Sequence, residues 1–262
     1  TSSRLHTHEQ VEMCRGGLKR QEALRGVTEA LPAKRASQIT LTSAYYAAFI
    51  TLGFVSAAIG PALPTFVANT ASRLDQVSLL FVARSAGYLI GSFQSGKWYD
   101  RFPGHLVMAG VLVAMAALMS SLPMVPWLPL LAGAILLLGV TNGALDVGGN
   151  TLLVWVHTDR VGPFMNGLHL AWGVGAFLSP LIVATSLKLT TDIDVAFWVM
   201  GLLMLPAAVW LFSLPSPSVA TQQAGPSQAA GPAPVLLASF VIFLALFAGS
   251  EAGFGAWIYT YA

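Results

Sequence analysis

The sequence predicts an all-α integral membrane protein: a bundle of six membrane-spanning helices, then a linker and a seventh span. Three observations carry that expectation. Of 262 residues, 55% are hydrophobic and only 9% are Asp, Glu, Lys or Arg, against about 25% charged in an ordinary soluble domain. The mean hydropathy is +0.70, so the chain cannot cover a globular surface with polar groups and lipid becomes its main solvent. The apolar residues also fall in runs of the length a bilayer core requires, about 20 residues for a helix. Most of the charges, moreover, sit between the runs and are distributed unevenly.

The elements follow in order. Residues 1–38 form a polar, basic tail with Arg4, Arg15, Lys19, Arg20, Arg25, Lys34 and Arg35. No apolar stretch follows these charges closely, so the tail does not read as a secretory signal peptide. The six-helix bundle occupies residues 39–214, with spans at 41–67, 77–97, 106–124, 128–155, 166–187 and 195–214. The stretch "SLPSPSVATQQAGPSQAAGPAP" then combines Pro, Gly, Ser, Gln and Ala without a charge, which makes 215–234 a linker. Residues 235–262 supply the seventh span.

Orientation rests on Lys and Arg. With the tail inside, the cytoplasmic segments hold the tail's basic residues plus Lys97, Arg101 and Arg160, and the opposite side has Arg73 and Lys188. The expectation is a multi-pass plasma-membrane protein (the inner membrane, if bacterial) with its N-terminus in the cytoplasm. Small residues recur as Gly87-x-x-x-Gly91, Gly139-x-x-x-Gly143 and Gly249-x-x-x-Gly253, a spacing that lets helix backbones approach closely. Packing within one chain accounts for them, so a monomer is expected. Gly60, Pro61 and Pro64 are expected to interrupt span one, and Gly173, Gly175 and Pro180 span five; a substrate path beside these two spans follows.

Several classes of function are excluded. A net charge of +2 gives nucleic acid no purchase, and one cysteine, Cys14, excludes an internal disulfide framework or a multi-cysteine metal site. No Walker phosphate loop supports ATP-driven pumping. An enzyme would need a nucleophile with its base or clustered ligands, and the candidates are isolated, so no catalytic residue, cofactor or bound metal is expected.

The densest charge outside the tail lies in "GKWYDRFPGH", residues 96–105, between spans two and three. Anchoring explains Lys97 and Arg101, but not Gly96, Asp100 and Gly104 at fixed offsets. This pattern, Gly96, Asp100, Arg101, Gly104 and His105, resembles the major facilitator superfamily, in which the equivalent loop latches two helical bundles on the cytoplasmic side. The segments "GVTNGALDVGGNTLLVW", "PFMNGLHLAWGVGAFLSPLI" and "FAGSEAGFGAWIYTYA" narrow the resemblance to the fucose–galactose–glucose symporter branch, with its sodium-dependent glucose transporter-like members. The resemblance covers about Thr42 to Ala262. It implies a twelve-helix fold, of which this chain would be the N-terminal half plus one helix. Span four departs from the pattern in lacking an arginine found there in many drug and sugar carriers.

Charge inside a bilayer is costly, about 2.5–3.5 kcal/mol even on insertion scales, so each such residue is a functional candidate. Span two holds Arg84. Span four holds Asp146 with Asn142 and Asn150 four residues to either side, on one helix face. Asp146 takes up a proton or helps to bind a cation, or forms a permanent salt bridge with Arg84; both readings are open. Asn142 and Asn150 contact sugar hydroxyls or bond between helices. Glu251 is either a cavity residue or a packing carboxylate. Trp257 stacks on a sugar or anchors at the interface, and His169, near Asn166 and Trp172, relays protons or serves structure.

The expected function is therefore alternating-access transport, with uptake of a sugar or similar small polar solute coupled to H+ or Na+. An efflux antiporter for drugs or metabolites, or a truncated protein that does not transport, are the alternatives.

Overall fold

The computed structural model describes residues 37–217 and, beyond them, positions 235, 236, 238, 239, 242, 243, 246, 249 and 250. Among the described residues all regular structure is helical. Six long helices succeed one another: α1 (Ser37–Asn69), α3 (Leu79–Arg101), α4 (Gly104–Ser121), α5 (Leu128–His157), α6 (Val161–Thr190) and α7 (Asp194–Ser213). A single turn, α2 (Leu74–Val77), joins α1 to α3. The described positions from 235 to 250 are helical as well. The basic tail, most of the linker and the end of the expected seventh span lie outside the described residues.

Contacts divide the chain into two units, residues 1–42 and 43–262. In the first, Thr42 Oγ1 donates to the Gln38 carbonyl at 2.8 Å within the opening turns of α1. The remainder of this account concerns the second.

Five helices, α1, α4, α5, α6 and α7, are both long and apolar enough to cross a membrane. The sixth, α3, has the length but not the apolarity. It carries Arg84, Gln94, Lys97, Asp100 and Arg101 along its 23 residues. Its connection to α4 is only Phe102 and Pro103. The proline holds Phe102 extended, at φ −124° and ψ 156°, which ends α3. The prolines expected to interrupt spans one and five end neither helix. α1 runs through Gly60, Pro61 and Pro64, and α6 through Gly173, Gly175 and Pro180. Each proline costs its helix one backbone hydrogen bond, a loss that neighbouring helices make tolerable in a membrane.

The outer surface is apolar, with Val82, Phe93, Leu170, Phe177, Leu202, Val209 and Phe212 all exposed. A surface of this kind suits lipid and not water. Inside, Tyr45, Phe49, Phe66, Phe197, Met108, Leu112, Met115 and Met119 are fully buried, and Phe66 meets Phe197 edge to face at 5.9 Å.

Glycines set the helix pairing. On α3, a Cβ added to Gly87 would overlap the Leu136 carbonyl, and one on Gly91 the Val140 carbonyl. On α5, Gly139 abuts the Arg84 carbonyl and Gly143 that of Tyr88. The two helices therefore touch backbone to backbone, as their small-residue spacing predicts. A second clasp joins α1 to α6. Gly53 abuts the Trp172 carbonyl and Gly175 that of Ile50. Tyr46 O–H donates to the Phe164 carbonyl at 2.9 Å, and Ser179 O–H to that of Phe54 at 2.9 Å. In both clasps the contacts advance together along the two chains, so α3 lies parallel to α5 and α1 to α6. The third major pair is α4 with α7, where Gly201 meets Ser120 and Trp198 Nε1 donates to the Ser120 carbonyl at 3.2 Å. Helices α1, α3 and α4 thus pair with α6, α5 and α7. A three-plus-three repeat would produce this set of pairs.

Gly139→Val and Gly175→Val should each destabilise the bundle by about 1–3 kcal/mol or more through overpacking. Gly110→Ala and Gly133→Ala face open space and should be neutral, or gain up to about 1 kcal/mol of helix propensity. Thermal unfolding of the detergent-purified protein would separate the two groups.

Candidate functional site

The polar groups of the bundle's interior gather where α3 meets α5. Tyr88 O–H donates to Asp146 Oδ2. Asn150 Nδ2 donates to Asp146 Oδ1 and to its backbone carbonyl, both at 2.9 Å. Asp146 and Asn150 share a face because they stand four residues apart on one helix. Tyr88 reaches them because the glycine clasp removes every side chain that would hold α3 away. Sequence reasoning did not single out Tyr88. The signal was present in its position four residues after Arg84, on the same face of α3.

The salt bridge considered between Arg84 and Asp146 does not form. Among the described residues the only ion pair joins Arg73 Nε and Asp75 Oδ1 at 3.0 Å, exposed at the start of α2. Tyr88 occupies the carboxylate in Arg84's place. Arg84 itself is half-buried and interacts electrostatically with Tyr88.

Two further polar side chains are nearby. Asn142, one turn before Asp146, is only 2% exposed and makes no hydrogen bond among the described residues. Ser92, one turn after Tyr88, has the only fully buried side-chain N or O atom among the described residues without a hydrogen-bond partner. Ser92 Oγ lies beside Gly143, the neighbour of Asn142.

The depth of this group follows from the helix bounds. Asn142 and Gly143 are the middle residues of α5, Gly53 is the middle residue of α1, and Tyr88 is two residues from the middle of α3. Across the α1–α6 clasp, Trp172 Nε1 donates to Ser56 Oγ at 3.2 Å, and Ser56 donates in turn to the Leu52 carbonyl at 2.9 Å. Phe49 packs against Gly149. With α1 and α5 running in opposite senses, Ser56 is level with Asn142. Two polar contacts thus lie at mid-height of the bundle, one in each clasp.

The charged turn differs from its expected form. Gly96, Lys97, Asp100 and Arg101 belong to the last turns of α3 and not to a loop. Gly96 faces open space, and Asp100 and Arg101 are exposed and make no ion pair among the described residues. Gly104 and His105 open α4, and Gly104 packs on Leu152 of α5. His105, expected in the cytoplasmic gate loop, is 2% exposed. The Leu214 carbonyl, 3.1 Å from Nδ1, can only accept, so Nδ1 carries the proton. Nε2 is then the acceptor for the Tyr45 hydroxyl at 2.8 Å. The His105 backbone N–H donates to Ser216 Oγ at 3.3 Å. One imidazole thereby fastens α1, α4 and the segment leaving α7.

His169 is exposed on α6 without a hydrogen bond or ion pair among the described residues. Glu251 and Trp257 lie outside the described residues. No group of three His, Cys, Asp or Glu side chains among the described residues could hold a metal ion. The mid-height group is instead a set of oxygens: one carboxylate, two carboxamides and two hydroxyls. Such a set can bind polar solutes or hard cations.

His105→Ala should destabilise the protein by more than Tyr45→Phe, which removes one hydrogen bond worth about 1 kcal/mol. With cysteine placed at Ser216, maleimide labelling should quicken when His105 is alanine. Unchanged labelling would mean that His105 does not hold the segment.

Residues 45–262 match the Major Facilitator Superfamily. Sodium-dependent glucose transporter 1 of Xenopus laevis is 27% identical over 237 residues, which cover 79% of this chain and 48% of that protein. The human protein of the same name is 32% identical over 151 residues, covering 56% of this chain and 29% of its own length. Major facilitator superfamily domain-containing protein 4A of Danio rerio is 24% identical over 219 residues, covering 68% of this chain and 41% of that protein. The chain spans about half the length, or less, of these curated relatives. The family match takes in nearly the whole helical bundle, and the chain belongs to the major facilitator superfamily.

Proposed function

We propose that this chain is the N-terminal bundle of a secondary transporter that takes up a sugar or similar small polar solute by alternating access, driven by a cation gradient. The observation that carries the reading is the Tyr88–Asp146–Asn150 group at mid-height of the bundle. A carboxylate inside an apolar bundle has a large insertion cost, and mid-depth is where carriers of this kind hold substrate and coupling ion. The relatives named as sodium-dependent glucose transporters favour a sugar as solute and sodium as the coupling ion.

In this reading Asp146 holds the coupling ion, and Tyr88 and Asn150 position its carboxylate. Trp172, tied by its ring N–H to Ser56, offers the solute an aromatic face beside the ion. The solute binds between this bundle and a second one, which begins with the helix after residue 234 and to which Glu251 and Trp257 contribute. The exposed end of α3, with Gly96, Asp100 and Arg101, meets that second bundle and latches the cytoplasmic side. The N-terminus is cytoplasmic and the protein resides in the plasma membrane as a monomer.

In proteoliposomes of the full-length protein that carries this chain, an inward sodium or proton gradient should drive accumulation of labelled glucose, galactose or fucose. Asp146→Asn should reduce gradient-driven accumulation to the level of empty vesicles and leave solute exchange between equal concentrations intact. Full accumulation by that variant would remove Asp146 from coupling.

A further inference from the structure

We infer that the coupling ion is sodium and that Asn142 and Ser92, with Asp146, Tyr88 and Asn150, form its site on the α3–α5 face. The inference rests on the reading of this chain as half of a cation-coupled carrier. It is carried by the two groups that this reading leaves without a task.

A proton needs only the carboxylate. Asp146 already accepts from Tyr88 and Asn150, so a site for protons alone would be complete with those three residues. Yet Ser92 Oγ is fully buried with no hydrogen bond of direct geometry, the Tyr88 hydroxyl being its polar neighbour, and Asn142 is 2% exposed with no hydrogen bond among the described residues. Buried polar groups are nearly always satisfied, and inside a membrane bundle an unsatisfied one is costly. Ser92 Oγ, one turn from Tyr88 on α3, and the Asn142 amide, one turn from Asp146 on α5, thus leave oxygen atoms beside this carboxylate group for a ligand to take up.

The donor set identifies that ligand. It offers a carboxylate, two amide oxygens and two hydroxyls, with no sulfur and no imidazole. Oxygen-only sites suit hard cations, and a divalent ion of that class draws on several carboxylates or on phosphates. Here a single carboxylate stands among neutral oxygens, which matches a monovalent ion. Arg84, one turn before Tyr88, makes no ion pair with Asp146, so this carboxylate has no cationic side chain paired with it among the described residues. Asn150 donates through Nδ2, and turning its amide would present Oδ1 to the ion.

The test uses the full-length protein carrying this chain, purified in detergent at fixed pH. Choline chloride is replaced stepwise by NaCl or KCl at constant ionic strength while the melting temperature is read, and binding of labelled sodium is measured in parallel. Sodium should raise the melting temperature saturably, and potassium and choline should not. Asp146→Asn should abolish the rise. Asn142→Ala and Ser92→Ala should each move half-saturation upward by about tenfold, in the range seen when groups that support a metal site are lost. In choline alone these two variants should melt at or above the wild-type temperature, because each removes an unpartnered polar group; a merely structural role would lower it.

Indistinguishable melting in sodium and choline would overturn the inference, as would wild-type half-saturation in both alanine variants. Solute uptake driven by a pH gradient with no response to sodium would likewise overturn it while leaving the transport reading intact. Sodium binding with the expected variant effects, but no sugar uptake, would support the site and remove the sugar.

Discussion

Backbone-to-backbone contact between paired helices is the constraint on which the rest of this bundle depends. In lipid the apolar side chains gain little by turning from the bilayer to one another, so helices associate through close packing and a few polar contacts. An interhelical hydrogen bond in such a setting averages about 0.6 kcal/mol, too little to hold two long helices together by itself. The paired glycines of α3 and α5, and those of α1 and α6, supply the close packing. They also fix register. Once Gly139 lies against Arg84 and Gly143 against Tyr88, the Tyr88 hydroxyl is brought to the Asp146 carboxylate.

Much of this was legible in the sequence. The hydropathy runs placed the helices to within a few residues, because lipid demands a length and a composition that few other environments impose. The glycine spacings announced the α3–α5 clasp. The stripe of Asn142, Asp146 and Asn150 followed from helical periodicity, and its midpoint depth from the bounds of span four.

What sequence could not give were the relations across helices. Arg84 and Asp146 looked like partners because their charges are opposite, yet whether they meet depends on which face of α3 the clasp turns towards α5. Tyr88 was hidden among other aromatics that simply pack. The charged turn read as a loop because charge and glycine usually mark one. Here the break comes only at Phe102 and Pro103, and α3 keeps its hydrogen bonds through Arg101. His105 read as part of the charged loop by its neighbours in the chain, whereas its neighbours in space are Tyr45 and the end of α7. The prolines of α1 and α6 were expected to bend or break their helices, and both helices run through them, since packed neighbours make the lost backbone hydrogen bond tolerable.

The polar character of α3 bears on how the protein is made. A segment with Arg84 in its second turn and Lys97, Asp100 and Arg101 at its end partitions poorly into lipid when it leaves the translocon alone. Its clasp partner, α5, is synthesised only after α4 has been completed. During that interval α3 has neither the glycine face that shields its backbone nor the carboxylate that accepts the Tyr88 hydrogen bond. α4 is apolar enough to enter lipid by itself, whereas stable insertion of α3 gains most from the arrival of α5, whose glycine face and carboxylate cover it.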